Sequence, residues 1–530
     1  MGFFQDLFGS KKNIIEEKSI EAENSKRVTS DISDIKKAEP EAAEEEKRIK
    51  INRDYKLPSI EMLNKPKIIE NDNKEIEKTI NKIETCLKSF KIVSKVVEVQ
   101  VGPLMTRYEL EVPSGTDLGK ISRLKKEIAL TLSKKEVIIE IPIPGKNNVG
   151  ITIDNDSLST VSFYEMISSK EIEESKEKKL IVPIGKTPIG ETCVCEINKM
   201  PHLLISGTTG SGKTVLLNNI ICSILMKTKP DDVKLALVDT KIVEFSCYNG
   251  IPHLMCPVVS NPKQATILLQ KMVNEAEKRY HMFANTGTKT IEGYNEFVKK
   301  WNESHPDEQL EKMPYIVVVI DDLLDLMVSA HKEIEDSIIR ITQKARAAGI
   351  HLIISTQRPS REVLTDIIKT NIPSRISFIV SSKSDSNTIL DQEGAENLSG
   401  NGDMLFLPIG MKKPIHVQGT YIHDNEIQNI INFVRTQQEA FYDDSFMKLE
   451  KVKVDATNEV NNDDKLYEQI VDFVIKTQKA SASLLQRKFK IGYNMAATMI
   501  DKLEEDGIIG PATGSSKPRD VLVTYSNEDE

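Results

Sequence analysis

Eight consecutive residues, Gly207-Thr208-Thr209-Gly210-Ser211-Gly212-Lys213-Thr214, match the pattern G-x-x-x-x-G-K-[ST] at every constrained position. They leave the surrounding chain few ways to fold. An apolar run, His202-Leu203-Leu204-Ile205, precedes them and reads as a buried parallel strand. A helical run from Val215 to Leu225 follows. A chance glycine-rich turn would carry neither flank. In this setting the backbone N–H groups of Gly207, Thr208, Thr209, Gly210, Ser211 and Gly212 close around phosphate oxygens, helped by the positive end of the following helix. Lys213 reaches the β- and γ-phosphates, and the Thr214 hydroxyl suits Mg²⁺. The expected ligand is ATP with Mg²⁺.

A phosphate loop of this kind needs a parallel sheet behind it. Candidate strands recur at Leu235–Asp239, Tyr315–Ile320, His351–Ser355 and Ile376–Val380, with helical segments between them. This predicts an α/β motor domain over residues 160–440, a parallel sheet with helices on both faces. The chain of 530 residues has room for about three or four domains. Its net charge of −9 gives no global sign of a polyanion partner, although a local basic lining would not register in that sum. No stretch approaches the roughly 20 apolar residues of a membrane-spanning helix, and no secretory signal is visible. The six cysteines lack metal-ligand spacing and read as reduced thiols, so a cytoplasmic protein is expected.

Around the motor the sequence divides further. Residues 1–54 form a charged arm. Phe3, Phe4, Leu7 and Phe8 share a helical face at its tip, either a partly ordered terminus or a weak peripheral contact for a membrane surface or partner groove. Residues 55–159, with a lead-in, alternate as strands (Val93–Val101, Thr106–Val112, Val137–Ile141, Val149–Ile153) around one helical stretch, Leu118–Leu132, and predict a small α+β domain. Residues 441–463 are an acidic linker. Residues 464–525 read as three short helices and a strand, a winged helix-turn-helix or a generic helical interaction domain. Arg487, Lys488 and Lys490 put basic charge at its second turn.

Three sites carry candidate chemistry. Ile316–Ile320 is an apolar strand ending in Asp321-Asp322. Downstream of a phosphate loop, Asp321 is placed to hold the metal and Asp322 to orient and deprotonate the attacking water. Gln357 ends the next strand and suits either a contact to the γ-phosphate or a polar strand end in solvent. Arg346, beside a helix end that Gly349 is expected to cap, suits either a surface charge near that terminus or an arginine finger toward a neighbouring subunit.

Further blocks of sequence resemble the FtsK/SpoIIIE family of DNA translocases: Pro201-His202-Leu203-Leu204, Gly250-Ile251-Pro252-His253-Leu254, Lys344 to His351, Thr356-Gln357-Arg358-Pro359-Ser360, Asn371 to Ile376 and Gly402-Asp403-Met404-Leu405. The resemblance runs from about Tyr55 to the C-terminus. It implies a RecA-like P-loop motor flanked by the family's alpha and gamma domains, assembled as a homo-hexamer around double-stranded DNA and acting in chromosome segregation, division or sporulation. It implies that Arg346 is the finger, that Arg358, Lys369 and Lys383 face DNA, and that the segment holding Arg487, Lys488, Lys490 and Asn494 reads it. Related motors leave two alternatives: a conjugation or secretion coupling ATPase, and a slowly hydrolysing DNA-binding ring. Three departures stand out. The family typically has Glu where this chain has Asp322, which draws the carboxylate back by about 1.5 Å. Met495 and Thr498 replace two arginines of the expected recognition helix. The apolar spans expected of the family's N-terminal membrane domain are not found within these 530 residues.

Overall fold

The structure, a computed structural model, describes residues 54–66, 73–156, 159–175, 177–442, 460–489, 493–510 and 519–523. Phe3, Phe4, Leu7, Phe8 and Lys490, and the side chain of Asn494, lie outside the described residues, as does most of the acidic linker. The chain forms two compact units that divide between residues 449 and 450.

The first unit begins with a lead-in that departs from expectation. Tyr55 and Leu63 are buried in the core of the motor rather than in the small domain that follows. Tyr55 meets His253 edge-on, and Asn64 N–H donates to Glu426. The small domain has helix α1 (Asn73–Ser89), strands β1 (Lys95–Val101) and β2 (Met105–Glu111), helices α2 (Leu118–Arg123) and α3 (Lys125–Leu132), and strands β3 (Val137–Glu140) and β4 (Val149–Asp154). The single helical stretch predicted at Leu118–Leu132 is two helices that break at Leu124. The four strands pair antiparallel in the order β1-β2-β4-β3. Ile83, Leu87, Ile121 and Ile128 are buried in the core that the helices share with the sheet.

The motor follows, with β5 (Val161–Ser162), α4 (Phe163–Ile167), α5 (Lys170–Glu173), β6 (Ile181–Lys186), β7 (Thr192–Glu196), β8 (His202–Ser206), α6 (Lys213–Lys227) and β9 (Val233–Val238). Then come α7 (Pro262–Thr286), α8 (Ile291–Ser304), β10 (Tyr315–Ile320), α9 (Leu323–Lys344), β11 (Ile350–Thr356), α10 (Asp366–Asn371), β12 (Ser374–Phe378), α11 (Lys383–Leu390), β13 (Asp403–Leu407), β14 (Ile415–Tyr421) and α12 (Asp424–Gln437). The sheet order is β7-β6-β14-β13-β12-β8-β11-β10-β9. Strands β12, β8, β11, β10 and β9 are parallel, as the sequence pattern predicts. The sheet continues beyond them through β13, β14, β6 and β7, paired antiparallel, an addition to the parallel strands expected, with β5 pairing parallel to β14. For two of the antiparallel pairs the cause is local: β6 to β7 and β13 to β14 are joined by short turns, too short for the crossover that a parallel pair needs. All six residues of β10 and all seven of β11 are buried, so both faces of the parallel half are covered. Each Val or Ile hidden there contributes roughly 1.5–3 kcal/mol before chain entropy.

The second unit contains α13 (Val460–Thr477), α14 (Ala482–Phe489) and α15 (Tyr493–Glu505). Helix α13 begins inside the segment read as linker. Ile470, Val474, Leu485, Ala496, Ile500, Leu503 and Ile509 form its core. Single bridges from Ala480 to Arg519 and from Ile509 to Val521 make the wing, consistent with a winged helix.

Candidate active site

The phosphate loop leaves the C-terminal end of β8, between β12 and β11 in the sheet's parallel half, and runs directly into α6. Gly212 sits at φ +118°, and a Cβ there would lie 2.9 Å from the Cα of Gly402. Only glycine meets both demands. The loop is braced from outside by Thr208 N–H to the Ile379 carbonyl (3.0 Å) and by Gly402 N–H to the Ser211 carbonyl (3.0 Å). The ends of β12 and β13 therefore hold its shape. Lys213 Nζ crosses the loop and donates to the carbonyls of Gly207 (2.7 Å) and Thr208 (3.0 Å). Burial lowers its pKa, opposed by the carboxylates of Asp321 and Asp322.

Asp321 and Asp322 follow β10, two strands from β8, and both are buried. Burial, reinforced by the negative charges of Asp239, Glu244 and Asp322, pushes the Asp321 carboxyl up to about 6. The Ser355 hydroxyl donates to its carbonyl. A pocket with this surplus of buried carboxylate suits a divalent cation. Among the described residues no three acidic, histidine or cysteine side chains converge to hold a metal unaided. Mg²⁺ commonly keeps waters and phosphate oxygens among its ligands. Thr214 and Asp321 are the residues that would hold it.

Asp322 is engaged in a way the sequence did not disclose. Its Oδ1 accepts the Leu324 N–H (3.2 Å), making it the N-cap of α9. Its Oδ2 accepts from Lys241 Nζ at 2.7 Å. Gln357 lies against the loop: Thr209 Oγ1 donates to Gln357 Oε1 at 3.1 Å.

The residues missed by sequence reasoning lie on one loop, Asp239 to Phe245, after β9. Asp239 is fully buried and accepts three backbone N–H bonds, from Lys241 (3.1 Å), Glu244 (2.9 Å) and Phe245 (3.0 Å). Glu244 Oε1 accepts from Thr214 Oγ1 at 3.3 Å. The signal available was an acid ending the next strand in sequence after the phosphate loop, at the carboxyl ends of the parallel strands where α/β ligands bind.

Arg346 is exposed and carries no ion pair among the described residues. The turn beneath it is pinned. Carbonyls 344 to 349 accept in order from the Tyr280 hydroxyl, Ile350 N, Gly349 N, Ile291 N, Arg279 Nη1 and Ile316 N, at 2.6–3.1 Å. The helix itself ends at Lys344, with Ala345 as its C-cap. Gly349 instead closes a further turn, through the paired bonds Ile350 N to Ala345 O and Gly349 N to Arg346 O.

Of the basic residues expected to face DNA, Arg358 is exposed with no ion pair among the described residues. Lys383 is exposed but pairs with Glu393 at 2.6 Å. Lys369 does not fit the expectation: its side chain is only 14% exposed and bonds Asp391 at 3.1 Å, beside the buried Arg375 that shares the same carboxylate. In the second unit Arg487 and Lys488 are exposed in the last turn of α14, with Lys488 Nζ 5.7 Å from the Phe473 ring centroid.

Three family models match along the chain: the FtsK alpha domain over residues 57–155, the FtsK/SpoIIIE family over 163–361 and the FtsK gamma domain over 461–524. The chain belongs to the FtsK/SpoIIIE family. It is 47% identical over 483 residues to the DNA translocase SpoIIIE of Bacillus subtilis, covering 90% of this chain and 60% of that protein. It is 48% identical over 479 residues to the DNA translocase FtsK of Bacillus cereus, with the same two shares. A Staphylococcus epidermidis DNA translocase FtsK is 44% identical over 533 residues, covering 99% of this chain and 64% of that protein. The chain thus spans about 60% of the length of the curated relatives it matches. Among solved structures, the conjugation coupling protein TcpA of pCW3 aligns over 68% of this chain and 99% of that one, at 23% identity and a TM-score of 0.46. The FtsK alpha match starts inside the lead-in, whose Tyr55 and Leu63 pack on the motor of this FtsK/SpoIIIE chain. Among the described residues no helix is long and apolar enough to cross a membrane.

Proposed function

We propose that this chain is an ATP-driven double-stranded DNA translocase, working as a homo-hexameric ring in the cytoplasm during chromosome segregation, division or sporulation. The observation that carries this is the phosphate loop, with Lys213 and Thr214 opposite the buried Asp321, in a chain nearly half identical to proteins named DNA translocase. The loop's backbone N–H groups bind the phosphates of ATP. Lys213 neutralises charge on the β- and γ-phosphates. Mg²⁺, when bound, adds further neutralisation there, held by Thr214 and Asp321. Gln357, bonded to the loop tip, senses the γ-phosphate position. Arg346 on its pinned turn reaches the neighbouring subunit's nucleotide. Arg358 and Lys383 bind DNA phosphates without reading sequence, as a motor requires. Arg487, Lys488, Lys490 and Asn494 engage DNA through the winged helix. Met495 and Thr498 stand where guanine-reading arginines would, so the sequence preference is weak.

A second reading is favoured by one observation. Asp322 is both a helix cap and the partner of Lys241, which limits its freedom to act as base and points to slow hydrolysis.

Triplex displacement from linear DNA, with ATP, tests both. Displacement by the wild type and none by Lys213→Ala supports the translocase. DNA binding and nucleotide binding without displacement supports the slow ring. Absence of nucleotide binding overturns both.

A further inference from the structure

Resting on the nucleotide-motor reading above, we infer that Glu244 is a positioning residue of the nucleotide site, orienting the Thr214 hydroxyl toward the cation, and that the Asp239–Phe245 loop exists to present it. The loop bridges both sides of the site. At one end Lys241 Nζ holds Asp322 (2.7 Å), and Thr240 Oγ1 donates to Asp325 (2.7 Å), both on the segment that opens α9. At the other end Glu244 Oε1 takes the Thr214 hydroxyl on the first turn of α6. Asp239 anchors the stretch between them through its three N–H bonds, and the fully buried Phe245 ends it.

The backbone supplies an independent sign. Ile242 adopts φ +58°, a left-handed conformation that a β-branched residue rarely takes. Such strain persists only where surrounding contacts over-determine it, and it concentrates at functional sites. Packing does not demand it here, because Ile242 is 65% exposed and Val243 71% exposed. The left-handed step instead reverses the chain, so that Lys241 and Glu244, three residues apart, engage opposite walls of one site.

The role assigned to Glu244 is that of a hydrogen-bond acceptor. With its hydroxyl proton donated to Glu244, Thr214 Oγ1 would keep a lone pair free for a cation. Loss of such an outer partner typically costs about 10–100-fold in metal affinity.

Binding of a fluorescent N-methylanthraniloyl-ADP, with Mg²⁺ titrated or with EDTA present, tests this on the full chain. Glu244→Ala is expected to raise the Mg²⁺ concentration for half-maximal enhancement of binding by about tenfold or more, with affinity in EDTA unchanged. Glu244→Gln retains an acceptor oxygen and should stay within about threefold of wild type. An alanine variant with wild-type Mg²⁺ dependence overturns the inference. So does a glutamine variant as impaired as alanine, since a charge on the cation would then be the role. A wild type that binds no nucleotide in either condition defeats the nucleotide-motor reading instead, and the two failures are distinct.

Discussion

Asp322 shows how one side chain can serve stability and chemistry at cross purposes. As an N-cap it satisfies an otherwise orphaned N–H of α9, a contribution of about 1 kcal/mol. Its other oxygen neutralises Lys241. Glutamate at this position would extend the carboxylate by about 1.5 Å but caps a helix poorly. Asp322→Glu is therefore expected to raise DNA-stimulated ATP turnover while lowering the melting temperature by about one to two degrees. Steady-state ATPase assays and calorimetry on the same preparation check it; turnover that does not rise counts against slow hydrolysis by displacement of the base. The eight residues of the phosphate loop were legible because their spacing is the chemistry. Lys241 and Glu244 were not, because nothing in Lys241-Ile242-Val243-Glu244 as a string distinguishes them from a polar turn. Lys369, expected to face DNA only from the family resemblance, is instead turned toward Asp391, 22 positions later, a pairing that the string does not show.

At the scale of elements, two features depend on neighbouring strands and helices. The turn after α9 has every carbonyl from Lys344 to Gly349 bonded, two of them by side chains of α7. Such a platform holds the Arg346 side chain at a fixed origin, which suits a group that must meet a nucleotide across an interface. Arg346→Ala should leave the melting temperature unchanged, since the residue is exposed with no ion pair among the described residues. It should lower DNA-stimulated turnover by about 10³-fold if it is a finger. Tyr280→Phe removes one bond from the platform and should cost about 1 kcal/mol in stability. The second feature is histidine. His202 on β8 accepts from Leu352 N–H, and His351 on β11 bonds the Pro201 carbonyl, so each ring ties its strand to the other. Burial pushes His202 down to about 3, and His351 and His253 down to about 4. These rings are neutral in the fold and protonate in the unfolded chain near pH 6.5. The unfolded state therefore binds more protons in that window. Stability is full above about pH 6.5 and falls as pH drops toward 4, by about 1.4 kcal/mol per unit per histidine. Denaturant midpoints measured from pH 7.5 to 4.5 should fall steeply below 6.5. Replacing His202 by Gln should flatten that slope.

At the scale of the first unit, the small domain docks on the motor through a backbone wedge. Met105 N–H donates to the Pro188 carbonyl at 3.0 Å, in the turn between β6 and β7. A Cβ on Gly102 would lie 2.0 Å from that same oxygen. Gly102→Ala is expected to push the turn away and split the thermal transition of the unit, with the small domain released before the motor. A single transition, unshifted from wild type, would show that the contact is dispensable. The turn at Gly102-Pro103 was visible in the sequence; its close approach to Pro188 was not, because 86 residues separate the two.

What the sequence determined by itself is what depends on local spacing: the phosphate loop between strand and helix, the succession of buried strands that builds the parallel half of the sheet, and the separate helical domain at the end. Periodicity and turn chemistry act over a few residues, so they can be read from a string. The tertiary structure alone decided which charges meet. Strand order β8-β11-β10-β9 carries Asp322 to Lys241, 81 positions away, and Thr214 to Glu244, 30 positions away. Electrostatic pairing depends on distance through space, and that distance exists only once the sheet has closed the long loops between its strands.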